Sequence, residues 1–133
     1  MTYDIHWHDA QQTMLYVTYP SGWSWDDFYK IEAQVKDLLS ENATDGRVDI
    51  IADIQAGFVP KGSIANHARS LDNELHPRIG LVVILYQSRI AKALSEMTLR
   101  IVPLKNVYRL ANTLAEAERV IHADRTSEAD IPS

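Results

Sequence analysis

Ile79-Gly80-Leu81-Val82-Val83-Ile84-Leu85-Tyr86 is apolar at every position except the glycine. Side chains alternate between the two faces of a strand, so an unbroken apolar run is buried on both. Strands of that kind lie inside a sheet covered by helices and usually have parallel neighbours. This segment therefore predicts an α/β architecture. It names no reaction.

The rest of the chain fits that frame. Ile5 to His8 and Thr13 to Tyr19 favour strand, and the short polar loop between them predicts an antiparallel hairpin. Pro20-Ser21-Gly22 ends the second strand. Ser24 is a cap for the first helix and Asp27, three residues on, completes a capping box, with Trp23 and Phe28 placed as a hydrophobic staple. Phe28, Ile31, Val35, Leu38 and Leu39 give that helix its apolar face. Arg47 to Ile54 reads as a strand with Val48, Ile50, Ala52 and Ile54 on one side and Asp49, Ile51 and Asp53 on the other. A loop from Gln55 to Gly62 leads to Ser63, which caps a second helix carrying Ile64, Ala68, Leu71 and Leu75. Ser88 caps a third, with Ile90, Ala91, Leu94, Met97 and Ile101 inward. Val107 to Ala111 is a short strand. Thr113 with Glu116 opens the last helix, whose inner face is Leu114, Ala117, Val120 and Ile121. From Asp124 to Ser133 the chain is polar and small, and a frayed tail is expected. The order is β-β-α-β-α-β-α-β-α, one domain over residues 1–123, with a hairpin followed by parallel strands and flanking helices.

Composition excludes more than it identifies. A chain of 133 residues can hide roughly two thirds of its unfolded surface in one domain. With no cysteine there is no disulfide, thiolate metal site or cysteine nucleophile. The net charge of -5 disfavours nucleic acid and anionic membrane as partners. The longest apolar run falls far short of the ~20 residues of a membrane span, and the first residues lack a signal-peptide pattern. A cytoplasmic protein is expected.

Three groupings are candidates for function. Asp53, Lys61, Gly62 and Ser63 surround a loop at the carboxyl end of a strand, where α/β sheets bind ligands, ahead of a helix N-terminus suited to anions. Against this stands a plain connecting loop with a serine cap. His6 and His8 share one side of a strand with Trp7 on the other. A shared metal would need a third ligand from His67, His76, His122 or an aspartate, and none has a diagnostic spacing, so both read as polar residues on a solvated hairpin. Eight of the eleven aromatic residues fall within the first 29 positions. Of these, Trp23, Trp25, Phe28 and Tyr29 either wall the core or line an apolar pocket or subunit contact, with Trp25 best placed to be left over for contact. Arg69, Arg78, Arg89 and Lys92 read as solvated charges. No Gly-rich phosphate loop, nucleophile elbow or HExxH motif is present, so no catalytic residue, cofactor or metal is assigned.

The element order resembles the anti-sigma-factor antagonist superfamily, the SpoIIAA-like or STAS-like fold. Val48-Asp49-Ile50-Ile51-Ala52-Asp53-Ile54 is similar to the family strand that ends in Asp-Leu. Gly62-Ser63-Ile64 stands where the family has its Asp-Ser-Ser-Gly turn, with Lys61-Gly62 in place of the acidic residue. Val107 to Ala117 is similar to the closing strand and helix. The resemblance implies a non-enzymatic regulatory or protein-interaction domain, possible as a homodimer, with Ser63 as phosphoacceptor and a kinase or anti-sigma-like protein as partner. Lipid carriers of similar fold imply the alternative, a small apolar ligand or lipid-binding module using the aromatic-rich N-terminal region.

Overall fold

A computed structural model describes residues 3–20, 22–41, 46–54, 78–86 and 107–130. Five strands form one mixed sheet in the order β1-β2-β3-β4-β5: Asp4–Trp7, Met14–Thr18, Val48–Asp53, Ile79–Leu85 and Tyr108–Ala111. The β1–β2 hairpin is antiparallel, and every later pairing is parallel. Helix α1, Trp25–Glu41, links β2 to β3, and helix α2, Leu114–Asp130, follows β5. The expected loop Gln55–Gly62 and the helices expected after Ser63 and Ser88 lie outside the described residues, as do Lys61, Gly62 and Ser63 themselves.

The hairpin loop is fixed by Asp9, whose carboxylate accepts from the backbone N–H of Thr13 and of Met14 and from the Thr13 hydroxyl. Burial raises the Asp9 pKa, but those bonds from the Thr13 hydroxyl, Met14 and Thr13 outweigh it and hold the group below its ordinary value. Gln12 takes φ of 59° to close the loop.

Helix α1 begins as its sequence dictates. Ser24 Oγ accepts from the Asp27 N–H at 3.2 Å, and Asp27 Oδ2 accepts from the Ser24 N–H at 2.9 Å, the reciprocal bonds of a capping box. The Trp23 and Phe28 rings lie 6.4 Å apart beside it. Its far end has no basic residue in the last turn. Arg78 supplies one from just before β4, donating to the carbonyl of Leu39 at 2.9 Å and of Gly46 at 3.0 Å. Arg78 is thus half-buried and structural, not the solvated charge expected, because helix-end carbonyls lack intrahelical donors.

The two sheet faces bury different layers. Leu15, Val17, Val48, Ile50, Ala52 and Val82 pack with Phe28, Ile31, Val35 and Leu39 of α1. Met14, Ile51, Leu81, Val83 and Leu85 pack with Ala111, Ala117 and Ile121 on the α2 side. The alternation expected for β3 is observed, and β4 contributes to both layers.

Two features of α2 differ from expectation. Leu114 is exposed, because the helix meets the sheet through Ala117, Val120 and Ile121 a turn later. The helix also runs on to Asp130 instead of fraying from Asp124. The reason is an ion cluster at the amino end of β3. Asp49, wholly buried, accepts from the Leu81 N–H at 2.7 Å, from Arg47 Nε at 3.0 Å and from Arg125 Nε at 2.7 Å. Arg125 also donates to the Thr13 carbonyl at 2.8 Å, and Arg47 bonds Asp124 at 2.7 Å. Residues 124 and 125 are therefore riveted to the sheet. The cluster also explains Gly80. The β3–β4 register shifts between Val48 and Ile50, and a Cβ on Gly80 would stand 2.0 Å from Arg47 Nε and 2.6 Å from Asp49 Oδ1.

Candidate functional site

The strand register places Asp4, Thr18 and Asp53 side by side on three consecutive strands, and His6 beside Tyr16 in the next row. All five belong to the face that carries α2, since their parity is that of Ile51 and Met14. Helix α2 packs chiefly on β4 and β5, so among the described residues no helix covers the β1–β2 end of this face. The Asp4 and His6 side chains are 68% and 52% exposed, and Tyr16, Thr18 and Asp53 are half-buried.

On this surface three rings form a ladder. Tyr16 lies between His6, stacked at 5.4 Å and 16°, and His8, at 5.9 Å and 36°. Each ring holds a carboxylate. His6 Nδ1 bonds Asp4 Oδ2 at 2.7 Å, the Tyr16 hydroxyl donates to Asp53 Oδ2 at 2.7 Å, and His8 Nε2 bonds Glu118 Oε1 of α2 at 2.8 Å. Burial, then the bond to Asp53 and its charge, push the Tyr16 phenol up to about 12. At neutral pH it is a hydrogen-bond donor and not a base.

Asp53 is the one member of the expected Asp53–Lys61–Gly62–Ser63 grouping among the described residues, and it is joined to Tyr16. His6 and His8 face the same way, as their spacing requires, but each is turned to its own carboxylate. Among the described residues no group of three or more His, Asp or Glu is arranged to hold a metal ion. Tyr16, Asp4, Thr18 and Glu118 were not singled out by sequence reasoning. The available signal was parity: Tyr16 and Thr18 are polar at alternate positions of a strand whose other positions, Leu15 and Val17, are fully buried.

The other aromatic residues of the N-terminal region sit across the sheet, on the α1 side. Tyr19, Trp23 and Phe28 are buried in the core, while Trp25 and Tyr29 are half-buried against it. Their rings contact edge to face: Trp23–Trp25 at 6.0 Å, Trp25–Phe28 at 5.6 Å and Phe28–Tyr29 at 5.5 Å. The Trp23 indole N–H is buried with no hydrogen-bond partner among the described residues. Burial, then the charge of Glu32 and the neighbouring Tyr108, raise the Tyr19 pKa well above its ordinary value. Among the described residues no helix is long and apolar enough to cross a membrane. Comparison with family models, curated proteins and solved structures gave no match.

Proposed function

We propose that this chain is a non-enzymatic regulatory or protein-interaction domain of the cytoplasm, docking its partner on the β1–β2 end of the α2 face. The supporting observation is the ring ladder itself. A sheet face in an α/β protein is ordinarily covered, and this one carries solvated, ordered polar groups instead. Each of the three rings ties one heteroatom to a carboxylate, and the phenol is held protonated, which suits recognition better than proton transfer.

The test uses Thr18→Arg, which plants a bulky side chain in the row between Asp4 and Asp53. Wild type should capture a defined set of proteins from native extract, identified by mass spectrometry, and the variant should lose them while keeping the wild-type circular dichroism. An identical set from both proteins refutes the reading.

The resemblance to anti-sigma-factor antagonists adds to this proposal a switch at Ser63, grouped in the sequence with Asp53, Lys61 and Gly62, and a kinase or anti-sigma-like partner. A phosphate there would bring up to about two negative charges two positions from Lys61 in the sequence. Intact-mass measurement of native protein, with Ser63→Ala as control, tests it: absence of a phosphorylated form removes the switch.

A second reading, an apolar ligand or homodimer contact at the aromatic end, draws on the half-buried Trp25 and Tyr29. A co-purifying small molecule in a native mass spectrum would favour the ligand, and a dimer lost in Trp25→Ala would favour the contact. A wild type that is monomeric and empty excludes both.

A further inference from the structure

We infer that this chain pairs with a second copy of itself along the outer edge of β1, antiparallel and centred on Ile5, so that the two sheets join edge to edge. This goes beyond partner docking on the α2 face and uses a different surface from Trp25.

The backbone defines the edge. β1 is the last strand on its side of the sheet. The Thr13 carbonyl accepts from the Asp49 N–H at 2.9 Å, and the Tyr19 N–H donates to the Asp53 carbonyl at 2.8 Å. Odd-numbered residues of β2 therefore turn their polar groups to β3, and even-numbered ones turn theirs to β1. The His8 N–H accordingly donates to the Met14 carbonyl at 2.8 Å. In this register Asp4, His6 and His8 bond β2, while Ile5 and Trp7 turn their N–H and C=O groups outward. Among the described residues no hydrogen bond reaches those outward groups. Edges that resist pairing carry proline, lysine or a bulge. β1 has neither residue, and its register is unbroken.

Side chains choose the partner and the register. A two-fold pairing centred on Ile5 sets Ile5 against the partner's Ile5, with both outward groups bonded. It sets Asp4 against the partner's His6, and Tyr3 against the partner's Trp7. Directly opposite residues share a face. Asp4 and His6 occupy the exposed one, and Tyr3, Ile5 and Trp7 occupy the other, packed against the α1 layer. Asp4 and His6 already bond within the chain at 2.7 Å, so pairing makes acid and imidazole alternate around a square. Sliding the pairing one step either way sets Asp4 against the partner's Asp4 or His6 against the partner's His6, and like charges directly opposite are destabilising. The segment is complementary to itself, as an isologous contact requires, which favours a second copy over an unrelated strand.

Sedimentation over a concentration series tests this, and wild type should dimerise. Ile5→Pro removes an outward N–H and no β1–β2 bond, so it should lose the dimer and keep the wild-type circular dichroism. Asp4→Lys and His6→Glu each set like groups opposite one another and should each weaken the dimer about tenfold. Mixed one to one, these two variants should pair with each other, because the new lysine then faces the new glutamate. No effect within a single chain produces that rescue, so the mixture decides the matter even if Ile5→Pro fails to fold. Trp25→Ala should leave the dimer intact. In a dimer of labelled and unlabelled chains, the Asp4 Hα should lie in contact with the partner's His6 Hα, as in a non-hydrogen-bonded pair. A wild type that stays monomeric, a dimer retained by folded Ile5→Pro, a mixture no tighter than its components, a dimer that needs Trp25, or absence of that Hα contact overturns the inference.

Discussion

Asp49 is a carboxylate without solvent contact in a sheet interior, and two arginines and one backbone N–H are its entire compensation. Replacing it leaves two largely buried cations short of a partner, so Asp49→Ala should cost about 3–5 kcal/mol, read as a fall in the denaturant midpoint. Gly80→Ala attacks the same cluster sterically and should cost about 1–3 kcal/mol. In the Asp49→Ala background it should cost less, since the two changes share one network. The cluster was not legible in the sequence. Asp49 was read only as a member of one strand face, its partner Arg125 is 76 positions away, and spacing rules reach only a few residues. Tyr16 gives a residue-scale pH prediction. Its folded pKa, about 12, lies above the ordinary 10.0, so the stability it contributes is present below pH 10 and is lost as pH rises from about 10 to 12. Absorbance titration should show Tyr16 among the late-ionising tyrosines, and Tyr16→Phe should lessen the loss of stability across that window. Equal alkaline profiles for both proteins would contradict the Tyr16–Asp53 bond.

Among elements, the starts of the two described helices were the most readable. A cap and its partner sit three residues apart: Ser24 and Asp27 form both reciprocal bonds, and Thr113 Oγ1 accepts from the Glu116 N–H while Glu116 Oε2 reaches one residue further, to the Asn112 N–H. Ser24→Ala should cost about 1 kcal/mol, seen in the thermal midpoint. The inner face of α2 was read less well. Helical period alone admits Leu114, but the helix meets the sheet from Ala117 onward and leaves that first turn outside. Ile121→Ala should therefore cost about 2–5 kcal/mol, and Leu114→Ala should stay within about 0.5 kcal/mol of wild type. Comparable losses at both positions would mean that α2 is rotated from the placement described.

For the molecule as a whole, the two-sided strand β4 carried the correct architecture from the start, because an apolar run has only one kind of home. Val83 is fully buried in it. Val83→Asp should leave no cooperative unfolding transition, since an unpaired carboxylate there costs several kcal/mol. A normal transition would remove β4 from the core. The mixed sheet and hairpin followed from strand order. The reach of α2 over its face did not, because it depends on where one helix lies across five strands, and no local pattern encodes that. The reach of the last helix was missed for a related reason: Asp124 and Arg125 are polar, and the partners that hold them, Arg47 and Asp49, lie 77 and 76 positions back. Time during synthesis then becomes part of the design. A ribosome adding about 5–20 residues each second needs roughly 4–15 s to travel from Asp49 to Arg125. Through that interval the nascent sheet holds a carboxylate whose second arginine has not been made. It cannot complete the ion cluster around Asp49 until Arg125 has been made, so this part of the fold waits on a helix synthesised long after the strand it anchors to.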